Sequence, residues 1–300
     1  MKVKDIKERI EKAYQLLRNC RVCPRRCGVD RLNGQRGICK VGKNPKVSSY
    51  NVHFGEEPPI SGTRGSGTIF FTSCNLRCVY CQNFPISQLG HGSEVTTKDL
   101  AKMMIFLQSR GCHNINLVTP SHFIPQILEA VSFAWEMGFD LPLVYNSSGY
   151  DSIEALRLLE GVIDIYLPDM RYSDNRVAKR LSSAQDYVEV NREAIREMYR
   201  QVGNLVIDGN GIAKKGLLVR HLILPFDLAG SKNTFRFVEE EISPKVYVSL
   251  MGQYFPSFKA SFDVSINRKI TEEEYEQAKE SFFKSGLTLG WMQENRSSGE

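Results

Sequence analysis

Three cysteines stand close together in the stretch SCNLRCVYCQN, namely Cys74, Cys78 and Cys81. A structural zinc site takes four ligands, and no fourth cysteine is near, since Cys112 lies far along the chain. Three thiolates spaced C-x3-C-x2-C can instead hold three irons of a [4Fe-4S] cube. The fourth iron then stays open to a substrate or cofactor.

A second cysteine group precedes the first, with the spacing C-x2-C-x3-C-x11-C at Cys20, Cys23, Cys27 and Cys39. Four thiolates within twenty residues, among glycine and proline turns, are typical of a metal site. Two alternatives stay open. A zinc knuckle would be tetrahedral and closed, whereas an auxiliary [4Fe-4S] cluster would have every corner ligated.

Short apolar runs alternate with segments of helical period along the rest of the chain. After a first helix over 4–18, the pattern predicts strands over 67–72, 114–119, 142–146, 163–167, 217–224 and 246–251. Helices are predicted over 97–110, 124–137, 152–160, 186–202, 233–242 and 272–285. The pairs Asp151 with Glu154 and Thr271 with Glu274 predict capping boxes at two of the helix starts.

Strands this short and apolar, separated by helices, predict an α/β fold with a parallel sheet covered by helices. Six strand-helix units favour an open, partial barrel over a closed eightfold one. In such folds the working residues follow the carboxyl ends of the strands. The loop of Cys74 follows the first strand, so it belongs to that edge.

The composition points to one large domain with a small appendage: 300 residues, 42% hydrophobic and 24% charged. No secretory signal opens the sequence, and no run reaches the roughly 18 apolar residues of a membrane span. We therefore expect a cytoplasmic protein, with no membrane partner and thiols that bind metal. The net charge of +5 favours a solvated basic surface over nucleic-acid binding.

The cysteine loop with its aromatic residue, Tyr80, resembles the signature of radical S-adenosylmethionine (SAM) enzymes. The resemblance extends over roughly residues 50–294 to the pyruvate formate-lyase activating enzyme-like group. It rests on the blocks GTRGSGTIFFTSCNLRCVYCQN, YNSSGYD, YLPDMRYSD and VRHLILPF. It implies a [4Fe-4S] cluster on the three cysteines, with SAM on its open iron. One electron then cleaves SAM to methionine and a 5′-deoxyadenosyl radical, which abstracts a hydrogen atom.

The resemblance also assigns residues to the SAM site. Asp169 and Arg171 match positions that hold the methionyl end of SAM, and Arg220 matches an arginine that reaches its carboxylate. The other cofactor-binding candidates are Tyr80, Asn83, Asn146, Ser148 and, through a ribose contact, Gln253.

One block departs from the family pattern. The second strand of the family ends in a Gly-Gly-Glu turn that takes the SAM ammonium, whereas this chain has TPSH, Thr119 to His122. Thr119 and Ser121 could accept hydrogen bonds from the ammonium. Alternatively, Pro120 turns the chain and Ser121 caps the next helix.

The acidic stretch NVHFGEEPP lies ahead of the cluster strand. For His53, Glu56 and Glu57 a plain loop role is favoured over an approach to the site. The predicted organisation is a metal-binding segment over 1–50, the partial barrel over 51–294 and a polar tail over 295–300.

These patterns predict a radical SAM oxidoreductase of the activating-enzyme type. It would abstract hydrogen from a protein or peptide partner and take its electron from a donor such as flavodoxin or ferredoxin. One alternative is a radical SAM enzyme acting on a small metabolite. An alternative of another class is a non-catalytic metal-binding module that contacts RNA or protein. An incompletely ligated cluster has no use in such a scaffold, which favours the enzyme.

Overall fold

The computed structural model describes residues 3–293, so the tail predicted over 295–300 lies outside the described residues. The strands are β1 Lys46–His53, β2 Ser66–Phe71, β3 Ser93–Glu94, β4 Ile115–Val118, β5 Leu143–Ser147, β6 Ile165–Pro168, β7 Val206–Ile207, β8 Ala213–Leu222, β9 Tyr247–Met251 and β10 Gly290–Gln293. The helices are α1 Ile6–Gln15, α2 Pro58–Ser61, α3 Phe84–Ser87, α4 Thr97–Ser109, α5 Ile124–Glu136, α6 Ile153–Leu158, α7 Asn175–Ser182, α8 Tyr187–Val202, α9 Ser231–Phe237 and α10 Glu272–Lys284. A π-helical turn over Val238–Ile242 extends α9.

The six predicted strands are confirmed as β2, β4, β5, β6, β8 and β9, which lie side by side in chain order, all parallel. The sheet extends further than predicted. Strand β10 adds a parallel neighbour to β9, while β1 pairs antiparallel with β2 and carries β3 on its other edge. Within residues 3–293 the two ends of this path do not pair, so the barrel is partial, as predicted.

Helix caps show where local sequence decides structure. Thr271 and Glu274 form the predicted capping box at the start of α10. The box predicted for Asp151 is wrong, because α6 begins after Ser152, which makes no side-chain cap. The Asp151 carboxylate instead accepts hydrogen bonds from Tyr145 Oη at 2.8 Å and Ser147 Oγ at 2.6 Å. Two buried hydroxyls of β5 therefore bind the carboxylate that would otherwise cap the helix.

Two apolar clusters hold the layers together. The larger lies between the sheet and its helices. The smaller includes Val144, Ile165, Leu167 and Leu218 from the parallel strands, with Ile60 of the short helix α2. The segment just before β2 therefore packs against one face of the sheet. The Ile60 carbonyl accepts from Asn114 at the amino end of β4, whereas Glu56 contacts Asn146 of β5.

Among residues 3–293 we find no helix with the length and apolar character needed to cross a bilayer.

Candidate active site

The cysteine loop begins directly after β2, at the edge where the parallel strands end. Ser73 adopts a left-handed conformation with φ of 68°, which turns the chain out of the strand. The loop is then fixed to the end of α7, because the backbone N–H groups of Arg77 and Val79 donate to Ser182 and Leu181 at 3.1 and 2.9 Å. The three thiols therefore sit on a well-held loop.

Each thiol of this loop lies in a polar, mostly buried setting. Cys78 Sγ accepts a hydrogen bond from Ser182 Oγ at 2.9 Å, and Cys81 Sγ lies 3.0 Å from Ser87 Oγ. Burial, and after it the neighbouring Cys78 and Cys81, raises the pKa of Cys74 to about 12. Three thiols that oppose each other's ionisation are a donor set suited to a cation, since a bound metal removes that opposition.

Tyr80 is buried and fixes the cysteine loop through a hydrogen bond. Its side chain is 3% exposed, and its hydroxyl lies 2.6 Å from Tyr172 Oη. Tyr172 Oη lies 2.6 Å from Ser182 Oγ, which donates to Cys78. A chain of hydrogen bonds therefore runs from the aromatic residue of the motif to the middle thiol.

Four predicted cofactor residues come together at the strand ends. Arg220 of β8 donates through Nε to Asp169 Oδ1 at 2.8 Å and through Nη2 to Asn146 Oδ1 at 2.6 Å. Asp169 also forms an ion pair with Arg171. The guanidinium of Arg171 lowers the pKa of Cys78, opposing the burial that raises it. This cation therefore links the polar group at the strand ends to the cysteine loop.

Glu56 joins this group, although a plain loop role was the favoured expectation. Its Oε2 lies 3.7 Å from Arg220 Nη1 and accepts from Asn146 Nδ2 at 3.4 Å. Its neighbour Glu57 is also buried, at 3% exposure. The signal in the sequence was weak: two carboxylates followed by two prolines, just before the strand that leads to the cysteines.

We expect Glu56 to make the stability of the protein depend on pH. Burial raises its pKa to about 7, while Arg220 lowers it and Glu57 and Asp169 raise it. The neutral form is thus favoured in the folded state. The stabilisation of the folded state by Glu56 is complete below the ordinary pKa of a glutamate, about 4.5, and is lost as the pH rises to about 7. Relative to Glu56→Gln, the wild type should lose about 3 kcal/mol of unfolding free energy over this interval.

Urea unfolding from pH 4.5 to 8 measures this difference, with Glu276→Gln on the exposed face of α10 as the matched control. If the wild type and Glu56→Gln keep the same difference in stability at every pH, Glu56 is not held neutral by burial.

Several buried polar atoms around this group lack partners. Among residues 3–293, the atoms with no hydrogen bond include Ser148 Oγ, Arg171 Nε, Ser249 Oγ and Glu57 Oε2. An unsatisfied buried polar group costs about 1–3 kcal/mol. Such a cost at adjoining strand ends points to a site built for a polar ligand.

The remaining cofactor candidates are placed differently. Thr119 ends β4 in a left-handed conformation with φ of 61°, and its N–H donates to the Asn146 carbonyl. Ser121 is buried against the Asp151 carboxyl. The side chains of Asn83 and Gln253 are exposed. No hydrogen bond of the described residues joins Ser121, Asn83 or Gln253 to the Arg220 group.

The four N-terminal cysteines also gather in one place. Cys20, Cys23 and Cys39 are buried and Cys27 is half-buried. Burial raises the pKa of Cys23, and the other three thiols raise it further. A Cβ at Gly37 would stand 2.3 Å from Cys27 Sγ, so this position needs glycine for the thiol to fit.

Arg31 brings a buried positive charge to these thiols. Its side chain is 0% exposed and donates to the carbonyls of Gly42, at 3.0 and 2.9 Å, and His122, at 2.7 Å. It lowers the pKa of Cys20, which burial raises. A buried cation is costly without a negative partner, so Arg31 suits a thiolate site with net negative charge.

The described side chains do not by themselves form a metal site. Across residues 3–293, no three His, Cys, Asp or Glu side chains stand in an arrangement that could hold a metal ion. The sulfurs of Cys78 and Cys81 lie instead against the hydroxyls of Ser182 and Ser87. Both predicted metal sites therefore stay predictions.

One curated relative matches almost the whole chain. It is the uncharacterized protein MJ0674 of Methanocaldococcus jannaschii, 32% identical over 291 residues, which cover 94% of this chain and 79% of the relative. A second protein of that organism, MJ0808, is 26% identical over 157 residues, 47% of this chain and 46% of its own length. No family model matches the sequence.

Solved structures show the same fold. HydG, a maturase of the FeFe-hydrogenase, aligns with a TM-score of 0.53 and 13% identity over 96% of this chain. SuiB of Streptococcus suis, solved with its precursor peptide SuiA, aligns with a TM-score of 0.50 and 11% identity over 75% of this chain. Our chain spans 63% and 47% of their lengths. The mostly parallel sheet and the partial barrel are similar to those of radical SAM barrel proteins.

Proposed function

The chain belongs to the family of the uncharacterized protein MJ0674, and we propose that it is a radical SAM enzyme that abstracts hydrogen from a protein or peptide partner. The observation that carries the proposal is the placement of Cys74, Cys78 and Cys81. They share one loop at the carboxyl edge of a parallel sheet, beside the charged group of Arg220 and Asp169.

The chemistry of the donor set suits the implied cofactors. Cys74, Cys78 and Cys81 would hold the cluster, and three thiolates leave one iron for SAM. When bound, the pair supplies one-electron cleavage of SAM to methionine and a 5′-deoxyadenosyl radical. Two buried polar atoms at the strand ends, Ser148 Oγ and Arg171 Nε, have no hydrogen-bond partner among the described residues and would contact the ligand.

The chain's own residues would bind SAM and orient the cysteine loop. Arg220 offers a guanidinium to the SAM carboxylate and is itself aligned by Asp169 and Asn146. Arg171 supports negative charge on the cysteine loop. The hydrogen bond between the Tyr80 and Tyr172 hydroxyls fixes the cysteine loop and so helps to hold its thiols in place beside the strand ends.

A basic cleft suits an acidic electron donor of the flavodoxin or ferredoxin class. It lies between the two cysteine groups, and its lining has four cations and one carboxylate. The lining includes Cys39, Ser73, Arg36, Lys40, Lys46, Arg77 and Glu94, of which Glu94 pairs with Arg36. Clefts with an excess of one charge sign raise the encounter rate with partners of the opposite sign. The N-terminal cysteines, with zinc or an auxiliary cluster, would then lie beside the entry of the electron.

Exposed apolar side chains beside the cysteine loop support a macromolecular partner. The segment after β9 touches the loop, since the Lys259 N–H donates to the Val79 carbonyl at 2.8 Å. Further along, Phe262 and Val264 are 87% and 93% exposed. Contiguous exposed apolar surface marks sites that bind other proteins, and these two side chains, two residues apart, would contribute to such a surface.

We expect reduced enzyme with SAM alone to form 5′-deoxyadenosine slowly, and the genuine partner to speed this severalfold. Hydrogen leaves the partner carbon and joins the deoxyadenosyl carbon, so deuterium at the target position should appear in 5′-deoxyadenosine. Chromatography with mass spectrometry measures both. Rapid turnover with deuterium transfer from a small metabolite would favour that alternative substrate class. Absence of 5′-deoxyadenosine under strong reductant would overturn the radical SAM assignment.

A further inference from the structure

The turn after β4 offers no carboxylate to a ligand. It runs from Thr119 through Pro120 and Ser121 to His122, and none of these residues is acidic. Ser121 is committed to the buried Asp151 carboxyl on the helix side of the sheet. A carboxylate acceptor for a ligand ammonium at these strand ends would therefore come from another part of the chain.

Glu56 reaches the same strand ends from the segment before β2. Its carboxylate lies beside Arg220, with Oε2 3.7 Å from Nη1, and also meets the Asn146 amide. The side chains of Glu56 and Arg220 are 8% and 16% exposed, so the pair is largely shielded from water. A carboxylate and a guanidinium side by side match the ammonium and carboxylate of one α-amino acid group.

The charge balance of the site also suits such a ligand. Two guanidinium groups, Arg171 and Arg220, face three acidic side chains, Asp169, Glu56 and Glu57, which leaves one negative charge in excess once Glu56 is ionised. SAM carries one net positive charge, because a sulfonium is added to its zwitterionic amino acid end. Buried charges are tolerated when they are paired, and this ligand would complete the pairing.

We propose that Glu56 accepts the ammonium of SAM and so replaces the carboxylate that the β4 turn lacks. The inference rests on the proposed function. Binding SAM brings a cation to the Glu56 carboxylate and favours its ionised form, whose pKa in the free protein is raised to about 7 by burial. SAM binding near neutral pH therefore releases a proton from this residue.

Calorimetry on the anaerobically reconstituted protein tests the assignment with two ligands: SAM and its analogue in which a hydroxyl replaces the amino group. The wild type should bind the analogue about 10- to 100-fold more weakly, the usual effect of losing a charge-assisted hydrogen bond. Glu56→Gln should bind SAM more weakly by a similar factor and bind the two ligands almost equally. Glu57→Gln removes a carboxylate of the same group, so it should weaken SAM binding but keep the wild-type ratio between the ligands.

Proton release gives an independent measurement. Titrations at pH 7 in buffers of different ionisation enthalpy should show about half a proton released by the wild type and almost none by Glu56→Gln. Thermal unfolding checks that each variant folds.

The outcomes separate the two levels of inference. If Glu56→Gln discriminates the two ligands as strongly as the wild type, Glu56 is not the ammonium acceptor, although SAM binds. If Glu57→Gln alone loses the discrimination, Glu57 and not Glu56 accepts the ammonium. If the folded wild type does not bind SAM, the proposed function fails and this inference fails with it.

Discussion

Cys78→Ala is expected to reduce SAM cleavage to background and to remove the broad visible absorbance of the cluster from anaerobically reconstituted protein. Two thiolates, Cys74 and Cys81, cannot hold three irons of the cube. The thiol of Cys78 is buried and accepts the hydrogen bond at the end of the Tyr80, Tyr172 and Ser182 chain. The substitution thus removes a ligand without removing the side chains that shape the loop.

Cys112→Ala is the matched control for this prediction. Cys112 is a buried thiol outside both cysteine groups, so its removal should cost about 1 kcal/mol of stability and leave cluster and cleavage in place. Iron analysis, absorbance and 5′-deoxyadenosine formation are measured on both variants, with circular dichroism to confirm folding. Cleavage of SAM at the wild-type rate by Cys78→Ala would contradict the assignment of Cys78 as a cluster ligand.

The sheet could be predicted because its strands carry a strong local signal. Each of the six central strands is a short apolar run between polar turns, and parallel strands covered by helices follow from that pattern. Once the order is known, the strand ends share one edge. Arg220, Asp169 and Asn146 could therefore be expected to meet, and the structure brings them within hydrogen-bond distance.

The parts that the sequence did not predict depend on contacts distant along the chain. Glu56 is ninety residues from Asn146, and its approach depends on how the segment before β2 folds against the sheet. Asp151 is the exception, because it has the spacing of a helix cap but its carboxylate accepts from two buried hydroxyls only six and four residues earlier. Strand β10 begins at Gly290, where a Cβ would stand 1.9 Å from the Val248 carbonyl oxygen. The sequence alone does not show this close approach, because it depends on the neighbouring strand β9.

The N-terminal cysteines carry the second large expected effect. Replacing Cys23 and Cys27 together by serine should prevent this segment from holding the predicted metal and destabilise the protein by about 3–5 kcal/mol. The reason is the buried Arg31, which would lose its negative partner while its contacts with Gly42 and His122 hold it inside. The cluster of the Cys74 loop should persist, because none of its ligands has changed.

Metal analysis and urea unfolding measure this effect, and Cys112→Ser is the matched control for the loss of a buried thiol. The identity of the metal follows from the Cys74, Cys78 and Cys81 triple alanine variant, which keeps only the N-terminal site. About four irons per chain would mean an auxiliary cluster, and about one zinc would mean a knuckle. The prediction is contradicted if the Cys23 and Cys27 double variant is as stable as the wild type and the triple alanine variant contains no metal. The four N-terminal thiols would then bind no metal, and Arg31 would need another negative partner.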